Sequence, residues 1–162
     1  MSPNQIQKQI VLNAPREVVW QAIGDSTNFG AWFGVQLEGP FTAGEQIIGR
    51  IVPTQVDPEV AKLQEPHKGM KFQITIEAID PPNRLSFRWH PFSIDTSRDY
   101  SKEPSTLVNF QLTESGEQTL HTITESGFDL LPDDRCEQAF QANTGGWEHQ
   151  TNLVEKFIAQ RA

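Results

Sequence analysis

The run DDRCEQAFQANTGGWEHQTNLVEKFIAQRA, residues 133–162, decides how the rest of the chain is read. It reads as one long helix. Asp133 and Asp134 stand at its start, where the helix dipole favours anions, and Asp134 with Glu137 has capping-box-like spacing. Stepping 100° per residue, one face collects Cys136, Phe140, Asn143, Thr144, Trp147, Thr151, Val154 and Ile158. This stripe is apolar at both ends and polar in the middle. Gly145 and Gly146 lie within the same span, each costing about 1 kcal/mol against Ala in a helix interior. A helix serving only as core filling has little use for either feature. The expectation is that the chain wraps this helix and leaves a space beside its middle.

Upstream of it the pattern is mostly β. Gln5–Leu12 fits a strand, and Asn13–Ala14–Pro15 opens a short helix with Val18, Val19, Ala22 and Ile23 spaced for one face. A second short helix follows, capped by Asp25 or Ser26, with Phe29, Trp32 and Phe33 at helical spacing between Gly30 and Gly34. Candidate strands are then Val35–Leu37, Glu45–Val52, Met70–Asp80, Arg84–His90, Ser105–Glu114 and Gln118–Ser126. Asp80–Pro81–Pro82–Asn83 and Glu114–Ser115–Gly116–Glu117 read as the tight turns of two hairpins. Phe72, Ile74, Ile76 and Ala78 share a face, as do Leu85, Phe87 and Trp89, and Val108, Phe110 and Leu112, each with a polar opposite face. A sheet with one wet face is antiparallel and covered on one side, and the available cover is the last helix. The order β-α-α-β(6)-α gives an α+β fold: a curled antiparallel sheet of six to seven strands around a long C-terminal helix, with two short helices closing one end.

The 162 residues suit one domain, 1–162, with no linker, repeat or low-complexity tract. Thirteen basic and 21 acidic residues give a net charge of −8, which argues against non-specific binding to nucleic acid or to an anionic membrane. The single cysteine, Cys136, excludes an internal disulfide and a Cys-based metal cluster; on the inward stripe it reads as a small core residue. The four histidines lack metal-ligand spacing, so no metal is expected, and no phosphate loop or nucleophile motif suggests a cofactor. No signal-peptide pattern opens the chain and no long apolar run occurs, which points to a cytoplasmic protein.

The segments NAPREVVWQAIGD (13–25), Trp32, IEAIDPPNRLSFRW (76–89), VNFQLTESGEQTLHTITESGF (108–128) and GW (146–147), in this order, resemble homologues of the heat-shock-protein ATPase activator, within the START-like (SRPBCC) superfamily. The resemblance implies a helix-grip fold in which the space between sheet and helix holds an apolar small molecule. It supplies a cavity rather than a reaction, because no shared catalytic residue comes with it.

Two segments depart from a compact member. Pro53–Gly69 holds a helix started by Asp57–Pro58–Glu59–Val60 and ended by Pro66, with Val60 and Leu63 apolar. Pro91–Pro104 is polar around Phe92, Ile94 and Tyr100. Segments this long are either functional covers or disordered insertions, and their apolar residues favour covers.

In Gln118–Ser126 each face holds one apolar residue, so its register is open by alternation alone. The family pattern turns His121, Ile123 and Glu125 inward. His121 and Glu125 then lie about 13 Å apart and reach a ligand from opposite ends. A buried glutamate is a candidate acid or base. Asn143, Thr144 and Thr151 read equally as ligand contacts or as polar groups bonded to their own helix. His90 reads as a surface histidine, His67 and His149 as solvent-facing, and Trp20 as facing solvent or a partner.

The expected site is a pocket lined by Phe72, Ile74, Phe87, Trp89, Phe110, His121, Glu125, Asn143, Thr144 and Trp147. Its expected function is to bury a small apolar or amphipathic molecule, with a few polar groups fixing orientation. Two alternatives stand beside it: a cyclase- or hydrolase-type enzyme using Glu125 and His121 as acid and base, and a chaperone-binding module. The chain offers no tail or second domain to bridge a large partner, which disfavours the last. Monomer and dimer both remain open.

Overall fold

The computed structural model describes residues 5–91 and 99–161. Strand β1 (Gln5–Leu12) leads into α1 (Arg16–Gly24), where Pro15 supplies an extended entry. Asp25 ends α1 and caps α2 (Ser26–Phe33), its carboxylate accepting from the backbone N–H of Thr27 at 2.9 Å and of Asn28 at 3.0 Å. Gly34 closes α2 at φ 99°, a conformation that favours glycine. Then follow β2 (Val35–Leu37), β3 (Gln46–Ile51), α3 (Pro58–Gln64), β4 (Lys71–Asp80), β5 (Arg84–Trp89), β6 (Thr106–Ser115), β7 (Gln118–Ser126) and α4 (Asp133–Arg161).

The strands form one seven-stranded sheet in the order β1-β7-β6-β5-β4-β3-β2, every neighbouring pair antiparallel. The first strand pairs with the last, Ile10 opposite His121, so the sheet curls round and α4 lies against its inner face. The open register of β7 resolves inward for Thr119, His121, Ile123 and Glu125, all buried, while Leu120, Thr122 and Thr124 stay partly exposed. On this inner face Thr119 donates to the Ala14 carbonyl at 2.8 Å, whereas His121 is buried without a hydrogen-bond partner. A bulge between Ile76 and Ala78 takes Ala78 off the tightly buried line of Phe72, Ile74 and Ile76.

Aromatic volume fills the space between sheet and helices. Phe29 sits at its centre, with ring centroids 4.9 Å from Trp32 and Phe33, 5.4 Å from Phe41 and 6.0 Å from Phe110. The Trp32 indole donates to the Ala22 carbonyl at 2.8 Å, tying α2 to α1. Within α1, Val19, Ala22 and Ile23 are buried, whereas Val18 is 46% exposed and belongs to the outer face. Trp20 is half-buried against the core, its indole lying where a side chain at Gly24 would begin.

Helix α4 buries Trp147, Thr151, Val154 and Ile158 of the expected stripe together with Leu153 and Phe157 on the adjacent line, and its first turns bury that adjacent line. Arg135 and Ala139 are buried there, while Cys136 and Phe140 are only partly covered. Arg135 is held from outside the helix. Its guanidinium pairs with Glu103 at 3.0 Å, donates to the Pro91 carbonyl and lies 4.7 Å over the Tyr100 ring. The side chains of Arg135 and Glu103 are 3% and 8% exposed, so this is a buried ion pair fixing the chain around Pro91 and Tyr100–Glu103 to the start of α4. Phe92 and Ile94, expected to stabilise a cover, lie outside the described residues.

The 53–69 segment is built into the fold. Asp57 caps α3 through the N–H groups of Glu59 and Val60 and also pairs with Lys156 of α4. The Lys156 ammonium, foremost, and the Val60 N–H hold the Asp57 carboxyl below its ordinary value of 3.8. Gln64 accepts from the Thr54 N–H at 2.7 Å and donates to the Phe33 carbonyl at 3.1 Å. These bonds dock α3 on α2 and on the C-terminal half of α4.

Candidate functional site

Glu125 is fully buried on β7. Four donors converge on its carboxylate. Oε1 accepts from Asn143 Nδ2 at 2.8 Å and Trp147 Nε1 at 2.7 Å; Oε2 accepts from Trp89 Nε1 at 2.8 Å and Thr106 Oγ1 at 2.6 Å. A carboxylate offers about four acceptor positions, and here each has a donor. No cation takes part in these four bonds. The knot joins β5, β6, β7 and α4, and explains the polar middle of α4: Asn143 is there to reach Glu125. Thr144 and Thr151 instead bond their own helix, to the carbonyls of Phe140 at 2.7 Å and Glu148 at 2.8 Å.

His121, four residues earlier on the same face, is the opposite case. Its ring packs edge-on to Phe110 at 5.5 Å, and neither ring nitrogen has a hydrogen-bond partner. Burial alone pushes it down from 6.5 to about 4, because the charged form has nothing to replace its water.

The space beside the middle of α4 is filled. Ile74, Phe87, Phe110, His121, Glu125 and Trp147 are buried core residues at 0–2% exposure. The cavity lies further along, where the ends of β4 and β5 meet the 53–69 segment and α4 passes with Gln150. It measures about 470 Å³, and of the ten residues expected to line a pocket it takes Phe72 and Trp89. Asn143 and Thr144 join the other six outside it. Its apolar wall is completed by Phe33, Ile51, Met70, Pro91 and Tyr100. Polar contributions come from Gln64, His67, Lys71, Gln73, His90 and Gln150. Among the described residues no carboxylate side chain lines it, in a chain carrying 21 Asp and Glu.

The histidines move with this. His67 is exposed, as its sequence position suggests, but stands on the cavity rim. His90 is half-buried in the wall, and its Nδ1 is buried without a partner. Trp89 connects the two halves of the site: its ring faces the cavity lining and its N–H belongs to the Glu125 knot. Arg135 escaped the sequence reading although it carried a signal. A cation in the first turn of a helix opposes the dipole, so something outside the helix must hold it there. Among the described residues no three His, Cys, Asp or Glu side chains gather closely enough to hold a metal ion. None of the described helices is long and apolar enough to cross a membrane.

A curled antiparallel sheet gripping a long C-terminal helix, with a lined opening at one end, defines a helix-grip domain of the START-like kind. Residues 13–155 match the family described as activator of Hsp90 ATPase homolog 1-like protein, and the chain belongs to that family. Comparison with curated proteins finds no match. Among solved structures, DynU16, a protein of the dynemicin biosynthetic locus, superposes with a TM-score of 0.67 at 22% identity over 97% of this chain. The chain spans 48% of the length of DynU16. Protein MLL2253 from Mesorhizobium loti gives a TM-score of 0.71 at 17% identity over 98% of both chains. CalU16 from Micromonospora echinospora gives 0.62 at 20% identity, over 95% of this chain and 75% of its own. Likeness at these identities carries the fold and nothing finer.

Proposed function

We propose that the protein binds a small amphipathic molecule in the cavity between the ends of β4 and β5, the 53–69 segment and α4. The observation that carries this reading is the cavity itself. About 470 Å³ stays open at one end of an interior that is otherwise packed with aromatic rings. Its size falls within the roughly 300–1,000 Å³ of small-molecule sites, and its mix of aromatic wall and polar rim suits an apolar body with a polar end. The ligand's apolar part rests on Phe33, Phe72 and Trp89, and its polar part meets His67, His90 or Gln150 at the opening. The two long segments serve as walls of this site: one supplies Gln64 and His67, the other Pro91 and Tyr100.

The acid–base reading of Glu125 and His121 has less support. All four acceptor positions of Glu125 are engaged, and neither residue lines the cavity. A chaperone-binding role draws on the family description alone. The large exposed apolar residues Val11, Val18, Ile48, Leu63 and Leu130 are spread over five separate elements and offer it no described patch.

The test is titration with a panel of fatty acids, fatty alcohols and polyphenols, followed by tryptophan fluorescence, since Trp89 lies in the wall. A saturable response that is lost when Met70 or Ile51 is replaced by Trp to fill the cavity is expected. Absence of a response from every class would overturn the reading.

A further inference from the structure

Three rings form a corner of the cavity. Phe33 and Phe72 have centroids 5.7 Å apart at 62°, Phe72 and Trp89 6.0 Å at 77°, and Phe33 and Trp89 6.3 Å at 58°. Inclined rings of this kind offer a flat guest one face to stack on and two edges to abut, the arrangements that aromatic quadrupoles favour. A flexible alkyl chain gains only burial from the same corner. Stacking depends on orientation, so it requires that the ring offering its face be held still.

Trp89 is held from behind. Its N–H reaches Glu125 Oε2, and the same carboxylate is fixed by Thr106 of β6 and by Asn143 and Trp147 of α4. The Trp147 ring backs Trp89 at 5.6 Å and 31°. Glu125 itself does not line the cavity. It acts on the cavity through one indole.

We propose that the cavity selects planar aromatic ligands by stacking on Trp89, and that Glu125 is the positioning residue that sets this selectivity by anchoring the indole. The proposal rests on the ligand-binding reading above and deepens it. It explains why a buried carboxylate has neutral donors as its partners: a lysine or arginine would neutralise Glu125 without fixing the ring that faces the guest.

The experiment is calorimetric titration with 2-naphthol and decahydro-2-naphthol, which share a skeleton and a hydroxyl and differ in aromaticity and planarity. The wild-type protein is compared with Trp89→Leu, Glu125→Met and the double variant. Wild type is expected to prefer 2-naphthol by roughly tenfold, the order that one or two aromatic contacts supply. Trp89→Leu and Glu125→Met should each cut the preference to about threefold or less, and the double variant should lose no more than Trp89→Leu does. Trp89→Phe keeps a ring and removes the N–H, so it tests the anchor in a fold where Glu125 is intact; its preference should fall as well.

Equal binding of the two probes to wild type would overturn aromatic selection and leave the ligand-binding reading standing. Binding of neither would overturn aromatic selection, and the ligand-binding reading would then be decided by the fatty acids and fatty alcohols of the panel above. Full preference in Trp89→Phe, or a loss from Glu125→Met that is just as large in the Trp89→Leu background, would overturn the anchoring role.

Discussion

His121 and Glu125 share one face of β7 and meet burial in different ways. Glu125 has a donor on every acceptor position; His121 has none on either nitrogen. The unpartnered histidine therefore makes stability depend on pH. Its folded-state value of about 4 lies below its ordinary 6.5, so between these limits the unfolded chain holds the extra proton. Stability from this group is complete above pH 6.5, falls as pH drops toward 4 and is flat below, a loss of roughly 3 kcal/mol in all. His121→Leu should flatten that stretch of the urea-denaturation profile and leave stability at pH 7 undiminished. A variant with the wild-type slope would show that the protons go elsewhere. Glu125→Gln behaves differently, because Trp89 and Trp147 sit on opposite oxygens and an indole N–H only donates. Whichever way the glutamine amide turns, one indole faces an NH2 group. A loss of roughly 2 kcal/mol is expected by chemical denaturation. The identity of these two residues as inward was readable only with the family pattern, since alternation in β7 fits both faces. Their partners were not readable, because a donor that arrives from another strand leaves no trace in local spacing.

At the level of elements, α4 combines legible and hidden features. Its amphipathic stripe gave Trp147, Thr151, Val154 and Ile158 correctly but left out the buried Leu153 and Phe157, and its polar middle pointed to Asn143. The first turn was misjudged because side-chain periodicity cannot report a tertiary ion pair. Arg135 is held under the chain by Glu103 and the Pro91 carbonyl, and Cys136 and Phe140 beside it are only partly covered. Removing one partner of so buried a pair leaves a stranded charge, so Arg135→Met should cost roughly 3 kcal/mol or more. If calorimetric melting instead shows a change within 0.5 kcal/mol, the order of a surface ion pair, Glu103 is solvated without Arg135. Gly145 and Gly146 have no such partner: both are exposed, and a Cβ at either position meets nothing within 4 Å. They neither open the cavity nor admit a neighbour. Gly145→Ala and Gly146→Ala should each stabilise by up to about 1 kcal/mol in urea denaturation, through helix propensity and a less free unfolded chain. Gly30 is the contrast, since a Cβ there would lie 2.2 Å from the Val35 carbonyl oxygen. Glycine in a helix is read correctly only once its neighbours are known.

For the whole molecule, the order of strands was legible because alternation and tight turns are local signals, and antiparallel neighbours in sequence are neighbours in the sheet. Where the cavity opens was not, because it is set by which side chains fail to fill space. The middle of α4 is occupied by Trp147 and the Glu125 knot, so the cavity lies at the end where the 53–69 segment meets β4 and β5. That placement has a thermodynamic consequence. The walls come from α2, β3, β4, β5, α4 and both long segments, which are assembled only in the folded state. A ligand held there binds native protein alone and stabilises it by mass action, about 2.7 kcal/mol at a hundredfold excess over Kd. For a domain of this size that corresponds to a rise in Tm of roughly 5–10 °C. The rise should grow with the logarithm of ligand concentration and disappear in a variant with the cavity filled at Ile51 or Met70. A Tm that moves equally in the filled variant would mean that the molecule binds elsewhere on the surface, and the end of β4 and β5 would lose its claim to be the site.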